Sequence, residues 1–154
     1  VKDFNGQKVK RDTRRVQLLA ENYTLPETYR RHLDAKLATC CDDVFENQTY
    51  ESGLAHVLFE PMGLSIERSV NQIASAGWMY FNCPVFPHQD GERHTLVYFQ
   101  HVEKPTEFFM TSTLRSFEKV QVNTGEIYMF DSTKLHWLIT HGEIRLYVCD
   151  CRLT

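Results

Sequence analysis

From residue 54 onward the apolar positions fall into short runs rich in Val, Ile, Phe, Tyr and Thr: 54–59, 66–73, 77–86, 94–101, 107–112, 116–122, 126–131, 135–140 and 144–150. Gly, Pro, Asn or charged residues separate them, with Gly63, Gly77, Gly91, Gly125 and Gly142 as punctuation. Runs recurring about every eight to twelve residues predict an all-β sandwich or barrel rather than alternating helices and strands. Before residue 54 the texture differs. The first 22 residues are polar and predict irregular chain. Thr24-Leu25-Pro26-Glu27 reads as a helix start, with Thr24 as cap, Pro26 in the first turn and Glu27 closing a capping box. The apolar stripe Tyr29, Leu33 and Leu37 predicts a helix over about 26–41, ended by Asp42-Asp43. The expected division is an extension with a supporting helix and strand over 1–65 and a β core over 66–154, within one domain.

Composition narrows this picture. The 154 residues are 42% hydrophobic and 12% aromatic, enough for a real core. A net charge of −3 argues against general nucleic-acid binding. Six Lys/Arg and two Asp in residues 1–15 nevertheless give that end +4, leaving −7 for the rest. Such a terminus is either a solvated arm or a contact for phosphate or an acidic partner. Cys40, Cys41, Cys83, Cys149 and Cys151 are odd in number and contain no Cys-x-x-Cys pair, so reduced, buried thiols and a cytoplasmic location are expected. Cys149-x-Cys151 is a poor zinc motif, because zinc sites space their thiolates wider. No apolar run approaches the roughly 20 residues that cross a bilayer. No leader is recognisable, and a start without Met reads as trimming or as part of a longer chain.

The chemistry concentrates between Pro87 and Arg145. His88 and Asp90 are two apart, and in extended chain residues i and i+2 face the same way. An imidazole and a carboxylate so placed can grip one side of a metal ion. A second His from another strand would close a two-His, one-carboxylate face with its other positions open. His136, 46 residues beyond Asp90 and opening the apolar run His136-Trp137-Leu138-Ile139, is the candidate. Pro84 and Pro87 break the third run and put the pair at a strand end, where sites commonly lie.

A His-x-Asp pair alone is weak, since seven His and eight Asp give roughly 0.4 such pairs by chance. His32-x-Asp34 is the second in this chain. In a helix, i and i+2 stand about 200° apart, so it cannot face one ion. His101-x-Glu103 and His141-x-Glu143 are rivals at expected turns. Arg145, nine residues after His136, sits in the apolar strand Arg145-Leu146-Tyr147-Val148-Cys149. Parity puts Arg145, Tyr147 and Cys149 on one face, Leu146 and Val148 on the other. A guanidinium aimed into a barrel demands a carboxylate, either from a bound dicarboxylate or from an internal Asp or Glu.

The order His88-Gln89-Asp90, Thr95 to Gln100, Gly125-Glu126-Ile127-Tyr128-Met129-Phe130-Asp131 leading to His136, and finally Arg145 resembles the Fe(II)/2-oxoglutarate-dependent dioxygenases, especially their small prolyl-hydroxylase-like branch. The likeness covers about residues 66–150. It implies a double-stranded β-helix, a jelly roll of cupin type, with eight runs from 66 to 150 as core strands. It implies that His88, Asp90 and His136 hold Fe(II), that Arg145 pairs with the distal carboxylate of 2-oxoglutarate, and that Tyr98 bonds the same carboxylate. Trp78, Tyr80 and Asn82 would line the pocket or serve as packing. The implied activity couples oxidative decarboxylation of 2-oxoglutarate by O2 to hydroxylation of a substrate C–H bond. Asp90 in the third ligand position favours hydroxylation over halogenation.

Two other classes stay open: a non-catalytic binding barrel, and a cupin metalloenzyme that does not use 2-oxoglutarate. The latter typically needs His-x-His, which is absent here, as is His-Glu-x-x-His. A protein side chain or small molecule is the expected substrate. Trp78 and Trp137 could stack on a base, but their apolar surroundings favour core packing.

Overall fold

The computed structural model describes residues 15–38, 44–46, 73–90, 94–113 and 115–151. In chain order the elements are β1 (Gln17–Ala20), α1 (Glu27–Ala38), β2 (Val44–Glu46), β3 (Ile73–Phe81), β4 (Val85–His88), β5 (His94–Val102), β6 (Thr106–Thr113), β7 (Ser116–Val122), β8 (Ile127–Phe130), β9 (His136–Ile139) and β10 (Ile144–Cys151). They form two antiparallel sheets, one of six strands in the order β1-β8-β5-β10-β3-β2 and one of four in the order β4-β9-β6-β7. Successive strands from β3 to β10 alternate between the sheets except where β6 turns directly into β7. This is the double-stranded β-helix, a jelly roll.

Strand period 2 explains how the halves close. Along β10, Ile144 and Leu146 point between the sheets and meet Phe81, Val97 and Phe99 of their own sheet and Phe108, Met110, Val122 and Leu138 of the other. Tyr147 and Cys149 point the other way, where Tyr147 meets Trp78 and Trp78 meets Tyr98 edge to face. Tyr23 packs on Tyr98 with ring centroids 5.1 Å apart, so the chain entering α1 lies over this outer face. The six-stranded sheet is thus apolar on both sides. Accordingly β8 carries four consecutive buried residues rather than an alternation.

Gly125 makes the connection to the covering segment. Its φ of 89° lies in the left-handed region, and an added Cβ would meet Asn22 Cα at 3.1 Å. Its carbonyl accepts from Tyr23 N at 2.9 Å and its N–H donates to Phe99 O at 2.8 Å.

Several boundaries differ from expectation. The long run 77–86 is two strands, β3 and β4, because Asn82-Cys83-Pro84 turns the chain. Among the described residues the first core strand begins at Ile73, and runs 54–59 and 66–72 lie outside the described residues, as do the basic residues 1–14, Cys40 and Cys41. Two short strands, β1 and β2, arise where irregular chain or helix end was expected. Both pair with sheet edges, which a local pattern of three or four residues does not announce. The helix begins one residue later than expected. The Pro26 carbonyl accepts from Tyr29 N and Arg30 N, both at 3.0 Å, so Pro26 occupies the cap position. Glu27 turns forward to Arg31 at 2.8 Å instead of back into a capping box. Cys83 is exposed rather than buried, whereas Cys149 is buried, and both are free thiols.

Candidate metal centre

His88 ends β4 and His136 opens β9, and the two are direct cross-strand partners. β4 is an edge of the four-stranded sheet, which accommodates Pro87 and its missing N–H. The pairing slips between Val85 and His88, and the exposed Phe86 points outward while His88 points to the mouth of the barrel. Asp90 follows two residues later on the same side.

The three side chains converge. Asp90 Oδ2 lies 3.4 Å from His136 Nε2 and 3.6 Å from His88 Nε2, and all three ligand atoms fall within 4.8 Å of one another. The imidazole centroids are 4.2 Å apart and tilted by 58°. Cis donors about 2.1 Å from an octahedral ion would be about 3.0 Å apart, so Asp90 already stands near that spacing from each imidazole, and the three groups would draw together around an ion. Among the described residues it is the one His/Cys/Asp/Glu group of this kind.

Each imidazole is oriented by a backbone carbonyl two residues upstream. His88 Nδ1 contacts Phe86 O and His136 Nδ1 contacts Lys134 O, each at 2.8 Å. With Nδ1–H donating to a carbonyl, each Nε2 lone pair turns toward the shared point, the tautomer a metal requires. The setting is asymmetric. The His136 side chain is 6% exposed, set against Phe130 and Phe108, whereas those of His88 and Asp90 are 42% and 47% exposed. One candidate ligand is sunk in the barrel and two stand at its rim, so the open positions of an ion held there would face solvent and any incoming molecule.

Arg145 and Tyr98 do not join this cluster. Parity holds as expected, Arg145 sharing a face with Tyr147, but that face is the outer one. Arg145 Nε donates to Glu143 Oε1 at 2.6 Å and its Nη1 lies 3.5 Å from Asp34 Oδ1 of α1. The expectation of an inward guanidinium is thus corrected. Ile144 and Leu146 fill the interior positions, and the carboxylates that Arg145 needs come from its own chain. Tyr98 stands on the same outer face, its hydroxyl donating to Tyr23 O at 3.3 Å. Burial raises its pKa above the ordinary tyrosine range, with the neighbouring Tyr23 adding to the rise. Trp78, a candidate pocket residue, belongs to this outer aromatic layer, and Asn82 lies exposed in the β3–β4 turn. Tyr80, paired with Arg145, shares its face.

The rival pairs are structural. Glu103 accepts from Glu143 N at 2.7 Å and Glu143 pairs with Arg145. Phe109 and Trp137 stack on each other at 5.1 Å on the solvent side of the four-stranded sheet.

No protein-family profile matches the sequence, and no characterised protein is recognisably similar to it in sequence. Solved structures do match in fold. An oxidoreductase of the 2OG-Fe(II) oxygenase family from Burkholderia pseudomallei superposes with a TM-score of 0.63 at 11% identity, over 88% of this chain and 82% of that one. A cupin-2 domain protein from Shewanella frigidimarina superposes with a TM-score of 0.50 at 9% identity, over 78% and 92%. At such identities the likeness speaks to fold, and the fold is the cupin-type double-stranded β-helix.

Proposed function

We propose that this chain is an Fe(II)-dependent oxygenase whose ion is held by His88, Asp90 and His136. The observation that carries the reading is the convergence of two carbonyl-oriented Nε2 atoms and one carboxylate oxygen at the barrel mouth. Two neutral nitrogens and one anionic oxygen on a single face form the donor set of non-haem iron(II) oxygenases. Bound there, iron would supply the activation of O2 and the oxidation of a substrate C–H bond. The chain's own part is placement. Phe108 and Phe130 hold the His136 ring on its apolar side, while the rim position of His88 and Asp90 leaves the approach to the ion open.

2-Oxoglutarate is the co-substrate that the resemblance implies, and the order His88-Gln89-Asp90, His136 supports it. The residues assigned to its distal carboxylate do not fit it, because Arg145 and Tyr98 lie across the sheet from the metal ligands. Among the described residues no lysine or arginine is buried. This favours a second reading, an oxygenase that uses iron without 2-oxoglutarate.

Thermal unfolding of purified protein with Mn(II), alone and with 2-oxoglutarate, separates these readings by linkage. Stabilisation by the metal with a further rise from 2-oxoglutarate supports the first reading. Stabilisation by the metal alone supports the second. No stabilisation by either eliminates both and leaves the binding barrel. Under the first reading, His88→Ala and Asp90→Ala abolish substrate-independent turnover of 2-oxoglutarate, and full activity in both variants defeats it.

A further inference from the structure

The turn joining β8 to β9 holds two of the three ligand-bearing residues at once. Ser132 O accepts from Asp90 N at 2.7 Å, Thr133 O accepts from Gln89 Nε2 at 3.0 Å, and Lys134 O meets His136 Nδ1 at 2.8 Å. Three consecutive carbonyls therefore fix the backbone of Asp90, the residue beside it and the ring of His136. Asp131 anchors the turn, its side chain fixing the peptide that carries the Ser132 carbonyl and its backbone carbonyl the peptide that carries the Thr133 carbonyl. Asp131 Oδ1 accepts from Thr133 N at 3.0 Å and from the Thr133 hydroxyl, and the Asp131 carbonyl accepts from Lys134 N at 3.2 Å. This is an Asx turn, in which a side-chain oxygen replaces a backbone acceptor and locks the following peptides. Its far end is pinned to β6 by Thr111 N donating to Leu135 O at 2.9 Å. His88 is independent of it, its Nδ1 being on Phe86 O.

We infer that Asp131 is a positioning residue for the metal centre, acting through the Ser132, Thr133 and Lys134 carbonyls on Asp90 and His136. The inference rests on the metal reading above. Losing the Asp131 acceptor frees the Thr133 peptide to rotate. The Ser132 carbonyl that holds the Asp90 backbone then loses its fixed direction, and the loosened turn relaxes the Lys134 carbonyl on the His136 ring. Loss of outer partners of this kind typically weakens metal binding by about 10–100-fold.

The test is Co(II) titration, followed by its visible absorption, on the full chain carrying Asp131→Ala or Asp131→Asn. Asparagine keeps the acceptor oxygen and removes the charge. The expected result is Co(II) binding about 10–100-fold weaker in Asp131→Ala, with altered band positions, and near wild-type binding in Asp131→Asn. In metal-free protein, ring 15N shifts should show His136 losing its single tautomer in Asp131→Ala while His88 keeps it. Wild-type affinity in Asp131→Ala, or equal weakening in both variants, overturns the inference. Failure of the wild-type chain itself to bind Co(II) overturns the metal reading instead. Should Asp131→Ala not fold, Thr133→Val, which removes only the hydroxyl bond, carries the test. It is expected to weaken Co(II) binding several-fold, and unchanged affinity counts against the turn's role.

Discussion

The mouth of the barrel and the outer face of the six-stranded sheet make an instructive pair. Each gathers residues whose types suggest chemistry, and each is reached by β-strand parity. At the mouth, the near nitrogens of His88 and His136 and the Asp90 carboxylate turn toward one shared point. Phe86 O and Lys134 O occupy the far nitrogens of His88 and His136, leaving the near ones facing each other across Asp90. On the outer face the reverse holds. Arg145 spends its guanidinium on Glu143 and Asp34, and the Tyr98 hydroxyl is engaged by the Tyr23 backbone. A candidate site is marked by partners that orient groups toward one another. A structural network is marked by partners that consume the groups themselves.

The largest expected effect tests the mouth. His136→Ala should lower Co(II) or Mn(II) affinity by more than the roughly 100-fold that loss of an outer partner can cause, because a ligand itself is gone. The metal-free protein should also lose stability, on the order of 1–3 kcal/mol, because the buried ring leaves its place against Phe108 and Phe130 and its bond to the Lys134 carbonyl is lost. Isothermal titration and thermal unfolding on the same preparation check this. A wild-type affinity in the variant would remove His136 from the site.

The next effect belongs to the outer face. Gly125→Ala places a methyl 3.1 Å from Asn22 Cα at a φ of 89°. A side chain in that conformation costs about 1–2 kcal/mol, before the contact is counted. Denaturant unfolding should show a loss of at least that size, with metal affinity intact. Coupled loss of metal binding would mean that the two faces are not independent.

How much of this was legible in the sequence follows from the same contrast. His88 and Asp90 could be paired from their spacing together with Pro84 and Pro87, which mark a strand end, because i and i+2 face the same way in extended chain. His136 could be added because it opens an apolar run far enough downstream to return on another strand. Seven of the eight expected runs fall on described strands, and Pro84 divides one of them, 77–86, into β3 and β4. Arg145 was misplaced for a definite reason. Parity groups Arg145 with Tyr147 and Cys149 but does not say which face is interior when both faces are apolar. Tyr147 and Cys149 are as buried as Ile144 and Leu146, so burial on one side could not be read as the barrel's inside. The Asp131 turn carried no pattern signal either, since its role depends on carbonyl directions. β1 and β2 exist only through pairing with distant edges.

A smaller effect is confined to alkaline solution. Burial raises the pKa of Tyr98 and of Tyr128 above the ordinary 10.0, and for Tyr128 the hydrogen bond to Glu126 adds to the rise. The unfolded chain therefore releases these protons first. Stability is complete below pH 10, and falls as the pH rises further, because the unfolded state then binds fewer protons than the folded one. Tyr98→Phe should flatten this alkaline slope without touching metal affinity. Tyr128→Phe should also flatten it, and it should lower stability at neutral pH because the 2.6 Å bond to buried Glu126 is lost. Urea midpoints between pH 8 and pH 11 (about the range in which tyrosine begins to titrate) give the comparison, and an unchanged slope in both variants would contradict the burial.

The smallest expected effect decides most about the co-substrate. The Arg145 side chain is 27% exposed, and its partners Glu143 and Asp34 are 26% and 57% exposed. Ion pairs this open are worth about 0–1 kcal/mol. Arg145→Ala should therefore lower stability by no more than about 1 kcal/mol, with the loss shrinking as salt is added. Co(II) affinity should stay at the wild-type value, and so should any additional thermal stabilisation by 2-oxoglutarate, because the guanidinium lies across the sheet from His88, Asp90 and His136. The variant thus separates the two assignments that one strand suggested. If 2-oxoglutarate stabilises the metal-loaded wild type and Arg145→Ala abolishes that increment, the side chain reaches the barrel interior when ligand is bound, and the outer-face placement fails. If the increment persists, the distal carboxylate is held by something other than Arg145.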